Sequence, residues 1–179
     1  CKGKDSADLF AHAVNELHKH LVGKRKVQMM MWADRLEDGA ATGYGEWEAS
    51  ENGTAPAVDK IPRDIILCDW HYDNRTDFPS IKMLTDKGFQ VQPSGWNKLD
   101  NVGEFIRCGL EQAGPRLYGY LATTWSSPEQ VIREGVLPAG NSAKERSEND
   151  LHAAIDLGAK LAWQGDASDL PSTSGAPSP

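Results

Sequence analysis

The chain has few cysteines, no long apolar run and no excess of positive charge, and each lack closes a class of functions. Cysteine occurs only three times, at Cys1, Cys68 and Cys108, and no pair stands at C-x-x-C or another metal-ligand spacing. Cys68 falls in an apolar strand and Cys108 in a helical stretch, so both read as small buried hydrophobes rather than reactive thiols. They leave the redox compartment open. The longest apolar run is about five residues, far below the roughly 20 that a membrane-crossing helix needs. No signal-peptide pattern opens the chain, whose start is polar and basic. Residues 1–4 carry no start signal, so the native N-terminus is expected upstream, and a secreted or periplasmic location stays open. The net charge of −7 argues against a nucleic-acid partner. The basic trio Lys24-Arg25-Lys26 is short and reads as a solvated helix end.

What is present is an ordered series of strands that end in tryptophan. Asp64-Ile65-Ile66-Leu67-Cys68-Asp69-Trp70-His71-Tyr72-Asp73 is an apolar run that breaks abruptly into aromatic, imidazole and carboxylate groups. A buried parallel strand has this form where its C-terminal end opens into a site. Val27 to Trp32, Phe89 to Trp96 and Leu117 to Trp125 repeat it, so four of the six tryptophans stand at strand ends. Between the strands lie helical patterns. Asp5 to Val22 carries the stripe Leu9, Phe10, Ala13, Val14, Leu17 and Leu21, with Asp5 or Ser6 as its cap and Gly23 as its stop. On this helix His18 and His20 are off the stripe and read as solvent-facing.

Phe78 to Lys87 reads as a short helix with Pro79 at its start and Gly88 after its end. A helix capped by Asp100 or Asn101 carries Val102, Phe105, Ile106 and Leu110. A last one runs from about Glu148 to Trp163 with Leu151, Ala154, Leu157 and Leu161 on its apolar side. The segment from Glu37 to Pro62 reads as a long loop, mobile until a ligand binds, with Tyr44 and Trp47 as candidate ligand contacts. Glu46, Glu48 and Glu51 within it read as a solvated acidic loop. Residues 166–179 are rich in Ser, Pro and Gly and are expected to be disordered.

Alternating strands and helices imply an α/β fold with a parallel sheet, all four Trp-bearing ends on one rim. In a (β/α)8 TIM barrel that rim is the catalytic face. A complete barrel takes roughly 250 residues, and about four βα units are visible here. The economical reading is the C-terminal half of such a barrel over residues 1–165. Aromatic rings converging at strand ends suit a sugar, whose C–H faces pack on indoles while its hydroxyls take carboxylates and amides. Asp34, Asp69, His71, Tyr72, Asp73 and Asn97 are the polar groups at those ends. Asp69-Trp70-His71-Tyr72-Asp73 holds metal-ligand residue types, but side chains at adjacent positions rarely converge on one ion, so no metal is expected, and no cofactor.

These residues resemble a known family. Met29-Met30-Met31-Trp32-Ala33-Asp34-Arg35-Leu36 resembles a Trp-x-Asp strand of the family 20 glycoside hydrolases, the β-N-acetylhexosaminidases. Cys1 to Phe10 is similar to the helix that follows the catalytic Asp-Glu pair in some bacterial members. Ile61 to Trp70 resembles the next strand, and Gly119 to Trp125 the last barrel strand. The match runs in order from Cys1 to about Ile132. It implies a retaining reaction in which the 2-acetamido oxygen of the substrate is the nucleophile, and a glycan containing N-acetylhexosamine as substrate. By position Trp32, Trp70 and Trp125 would wall the sugar pocket, with Asp34 a polar pocket residue; His71, Tyr72, Trp96, Asn97 and Asp100 complete the candidate substrate-binding set.

The resemblance also places the Asp-Glu pair before Cys1, so this chain is expected to be inactive alone and to need the N-terminal half of the barrel as its partner. Lys98 stands where the family often has a tyrosine that holds the acetamide, and Ser127 where a sugar-binding glutamate is common. Two other readings stand beside this one. The chain could be a non-catalytic carbohydrate-binding protein that keeps the aromatic rim, or an unrelated small α/β enzyme using His71 and Asp73.

Overall fold

The computed structural model describes residues 3–45, 47–125, 127–129, 131–132 and 150–164. The expected tail at 166–179 lies outside them, as do Cys1 and Glu46.

The first helix, α1 (Ser6–His18), starts where Asp5 accepts a hydrogen bond from the Asp8 amide at 3.0 Å. That bond satisfies one of the amides a helix N-terminus leaves bare. The helix then widens into a π-helical turn, Lys19–Lys24, rather than running straight to its stop. Strand β1 (Met30–Trp32) follows, then a 3-10 turn (Asp34–Leu36), the short α2 (Gly39–Thr42) and a second 3-10 segment (Ala55–Lys60). Next come β2 (Ile66–Trp70), α3 (Pro79–Asp86), β3 (Gln90–Gly95), α4 (Leu99–Gln112), β4 (Leu121–Ala122) and α5 (Leu151–Gln164). The expected elements are present, with shorter strands than the apolar runs suggest.

The four strands form one curled, all-parallel sheet in the order β1-β2-β3-β4. This is a mixed α/β arrangement compatible with part of a TIM-like barrel. Ile66, Leu67 and Cys68 of β2 are flanked by β1 on one side and β3 on the other. Being buried, β2 needs no polar alternation, which is why its sequence is a continuous apolar run. Successive residues still point to opposite faces. Met31, Leu67 and Val91 pack into the main core with Phe78, Ile81, Leu84, Phe89 and Phe105. This is the helix face of the sheet. Met30, Trp32, Cys68, Trp70 and Gln92 belong to the opposite face by the same alternation.

Two local features make the turns possible. Gly88 ends α3 with φ of +95°, a conformation that costs a side-chain-bearing residue energy. The N-cap of α4 is Lys98, with no side-chain cap, so neither Asp100 nor Asn101 takes that place. Asn101 is buried instead and donates to the Asp73 carbonyl at 2.8 Å. This bond ties the start of α4 to the segment after β2.

A second apolar cluster joins α5 to α4 through Val102, Ile106, Ala154 and Leu161, with Tyr120 and Leu157 packed against it. Gly158 sits against Tyr120 so closely that an added Cβ would lie 2.5 Å from the ring Cε1. Replacing a helical glycine by alanine ordinarily gains up to about 1 kcal/mol. Overpacking costs about 1–3 kcal/mol and outweighs it here. Gly158→Ala is therefore expected to lower stability in urea denaturation; a gain would contradict this packing of α5.

Candidate functional site

The C-terminal end of β2 divides the candidate site residues between two faces. Leu67, Asp69 and His71 alternate with Cys68, Trp70 and Tyr72. The first series enters the helix face, and Asp69 and His71 are both fully buried there. Trp70 and Tyr72 stay on the opposite face, half-buried. His71 therefore cannot touch a ligand held by the tryptophans. Its expected place in a sugar-binding set is corrected by strand alternation.

The opposite face carries an aromatic group assembled from three strand ends. Trp70 and Tyr72 have ring centroids 5.0 Å apart, and Trp96 meets Tyr72 edge-on at 5.6 Å. Both distances lie in the favourable range for tilted and T-shaped ring pairs. Trp125 donates its indole Nε1–H to the Tyr72 hydroxyl at 2.9 Å, and the Thr123 hydroxyl reaches the same oxygen at 3.1 Å. Thr123 in turn donates to the Gly95 carbonyl at 2.8 Å, which holds the end of β4 against β3. Trp125 is 66% exposed and Trp32 42% exposed, so both present large apolar surfaces. The Trp96 Nε1 is buried and has no hydrogen-bond partner among the described residues.

The other expected contacts fall around this group. Asn97 is half-buried and Asp100 is exposed on the first turn of α4. Lys98 reaches back to Asp73 at 2.7 Å. Asp34 accepts from Arg35 Nε at 2.6 Å, within the turn after β1.

On the helix face lies a constellation that sequence reasoning missed. His71 Nε2 is 2.9 Å from Asp69 Oδ1, 3.5 Å from Glu37 Oε2 and 3.3 Å from Ser80 Oγ. Its Nδ1 is 3.3 Å from Glu48 Oε2, which also pairs with Arg75 at 3.1 Å. Ser80 donates to Asp69 Oδ2 at 2.7 Å, and the Tyr44 hydroxyl meets Ser80 at 3.0 Å. The Tyr44 ring stacks on the imidazole with centroids 3.8 Å apart.

The electrostatics follow from burial. Glu37 is pushed well above the usual carboxylate range, by burial first and the Asp69 charge second, against the pull of His71. For His71 burial works downward, but Asp69, with Glu37 and Glu48 behind it, overcomes it and holds the imidazole well above its ordinary value. Burial raises Glu48 too, yet the contacts with His71, the Tyr72 amide and Arg75 leave it lowered. The Cys68 thiol is pushed up to about 11 by burial and by Asp69, in keeping with an inert buried cysteine.

Two expectations for the 37–62 segment change accordingly. The segment carries a bridge between Asp38 and Ser50, and the Ser50 amide donates to the Glu37 carbonyl at 2.8 Å. Tyr44 is buried against His71 and so is not available to a ligand, whereas Trp47 is exposed. Glu48 belongs to the buried cluster rather than to a solvated acidic loop; Glu51 is exposed. No local pattern marks Glu37 or Glu48, because their partners are remote in sequence. For His71 a signal did exist, in the two-residue alternation counted from Leu67.

Ser80 is fully buried and is the donor to Asp69 Oδ2. Losing it leaves a buried carboxylate oxygen short of a partner, at a cost of about 1–3 kcal/mol. Ser80→Ala should lower the chemical denaturation midpoint by a corresponding amount; an unchanged midpoint would show that Ser80 is not part of the network.

Comparison with known proteins adds no relative: no family model matches the chain, and no curated protein matches it.

Proposed function

We propose that this chain is the sugar-binding, C-terminal half of a TIM-barrel glycoside hydrolase of the family 20 type, acting on N-acetylhexosamine in glycans. The observation that carries the reading is the Trp125–Tyr72–Trp96 contact with Trp70 beside it, built from three neighbouring strand ends. Such a rim offers flat apolar faces for pyranose C–H groups and a hydroxyl for an amide or sugar oxygen. In this reading Trp125 and Trp32 stack on the sugar, and Trp70 lies between them on the sheet. The Tyr72 hydroxyl, positioned by the Trp125 indole, takes the acetamide contact that Lys98 cannot make from its ion pair with Asp73.

The proton donor and the residue that aligns the acetamide are not assigned to any residue of this chain. Glu37 and Asp69 are carboxyl groups, but they lie on the wrong face of the sheet to reach a sugar at the rim. General acid assistance contributes roughly 10²–10⁴ in rate. The chain alone should therefore not turn over substrate.

A second reading is favoured by the same rim without an acid: a carbohydrate-binding protein with no hydrolytic role. One assay separates the two. A chromogenic N-acetylglucosaminide is offered to the chain, to the chain joined to the missing half barrel, and to that joined protein carrying Trp125→Ala. The hydrolase reading expects turnover by the joined protein only, with kcat/KM falling when Trp125 is removed by more than the roughly five- to twelvefold that ~1–1.5 kcal/mol of ring contact gives. Sugar binding without turnover in the joined protein would favour the binding module. Turnover by the chain alone, or full activity of the Trp125→Ala protein, would contradict the assignment.

A further inference from the structure

The cluster on the helix face supports an inference independent of the sugar reading. We propose that Glu37, Asp69 and His71 form a three-residue binding site for one divalent transition-metal ion, of which Zn²⁺ is the first candidate, with one coordination position left to water.

Three buried carboxylate oxygens of this cluster lack hydrogen-bond partners among the described residues. Among the described residues neither oxygen of Glu37 receives a hydrogen bond, and Asp69 Oδ1 receives none either, although all three atoms are buried. Glu37 is 0% exposed as a residue. A buried carboxyl group without donors is costly, and it persists where a cation or a proton answers it. Asp69 Oδ1 stands 2.9 Å from His71 Nε2 without the alignment of a hydrogen bond. Groups placed side by side in this way suit ligands around a common centre better than a donor aimed at an acceptor.

The spacing fits an ion. One atom from each of the three side chains lies within 4.8 Å of the others. Nε2 is 2.9 Å from Asp69 Oδ1 and 3.5 Å from Glu37 Oε2. Neighbouring ligands of a tetrahedral zinc ion, with bonds of roughly 2.0–2.2 Å, stand about 3.4 Å apart. The two separations measured from Nε2 bracket that spacing. The donor set, one imidazole and two carboxylates, suits zinc and manganese rather than a soft ion. On binding, His71 would release its proton, and two carboxylates with a neutral imidazole would then balance a divalent charge.

The surroundings match those of a metal ligand set. Ser80 donates to Asp69 Oδ2, and Glu48 lies at ion-pair distance from the far imidazole nitrogen, Nδ1. Outer carboxylates and hydroxyls of this kind orient ligating histidines and carboxylates. Glu37 comes from the end of the turn after β1, whereas Asp69 and His71 come from the end of β2. An ion here would pin the 37–62 segment to the sheet beneath the aromatic rim.

The test uses the whole chain, stripped with chelator, dialysed against Zn²⁺ and desalted. Zinc content and thermal midpoint are then measured for the wild type and for Glu37→Gln, which keeps the shape and can still hydrogen-bond. The proposal expects close to one zinc per chain and a raised midpoint in the wild type, both reversed by chelator and both lost in Glu37→Gln. No retained zinc, or equal retention by Glu37→Gln, would overturn it; the latter would place the metal on surface histidines. Should Glu37→Gln not fold, X-ray absorption of the zinc-loaded wild type decides. Nitrogen and oxygen ligands with a single imidazole support the site, and sulfur or several imidazoles refute it.

Discussion

The arrangement depends on one constraint, the alternation of side chains where β2 ends. The same backbone that sends Trp70 and Tyr72 to one face sends Asp69 and His71 to the other. Burying two titratable groups beneath helices costs several kcal/mol per ion unless partners compensate. Compensation comes from segments far along the chain: Ser80 from α3, Tyr44, Glu37 and Glu48 from the segment between β1 and β2, and Arg75 behind Glu48. The long connection is therefore held in place by polar contacts as well as by its apolar residues Leu36, Ala57 and Val58.

Fixing β2 in this way also fixes the aromatic rim. Tyr72 directly follows His71, so locking the imidazole limits where the phenol can swing. Its hydroxyl then collects Trp125 and Thr123, and its ring edge meets Trp96. Asp73, the next residue, is bound by Lys98 and through its carbonyl by Asn101, which carries the order into α4. A charged network on one face and an aromatic rim on the other are thus two consequences of one strand end.

Strand β2 was readable from sequence because it is buried and its apolar run is continuous, and the other three because each segment ends in tryptophan. Helix α1 was readable as a helix, but it buries Ala7, Ala11 and Val14, while Leu17 of the expected stripe is 56% exposed. Helix α3 was readable from Pro79 and Gly88 at its ends and α4 from its stripe. The π-helical turn at Lys19–Lys24 was not, since the stripe through Leu17 and Leu21 fits an ordinary helix equally well. For α4, Asp100 and Asn101 looked like caps, but tertiary demand drew Asn101 inward to the Asp73 carbonyl. The tryptophans were legible as a set of strand ends. The role of His71 was not, because adjacent polar residues look alike until their faces are counted. Glu37 and Glu48 had no local signature, as charged residues in a Gly-rich segment ordinarily face water. Their burial follows from contacts that only the folded chain creates.

The division of β2 into two faces can be measured directly by hydroxyl-radical footprinting of the native chain, with oxidation mapped by mass spectrometry. Trp125 and Trp32, exposed by 66% and 42%, should be oxidised rapidly, while Tyr44 and His71, exposed by 4% and 0%, should react only after unfolding. Oxidation of His71 and Tyr44 as fast as Trp125 would contradict the account, because it would place both on the solvent side of the sheet.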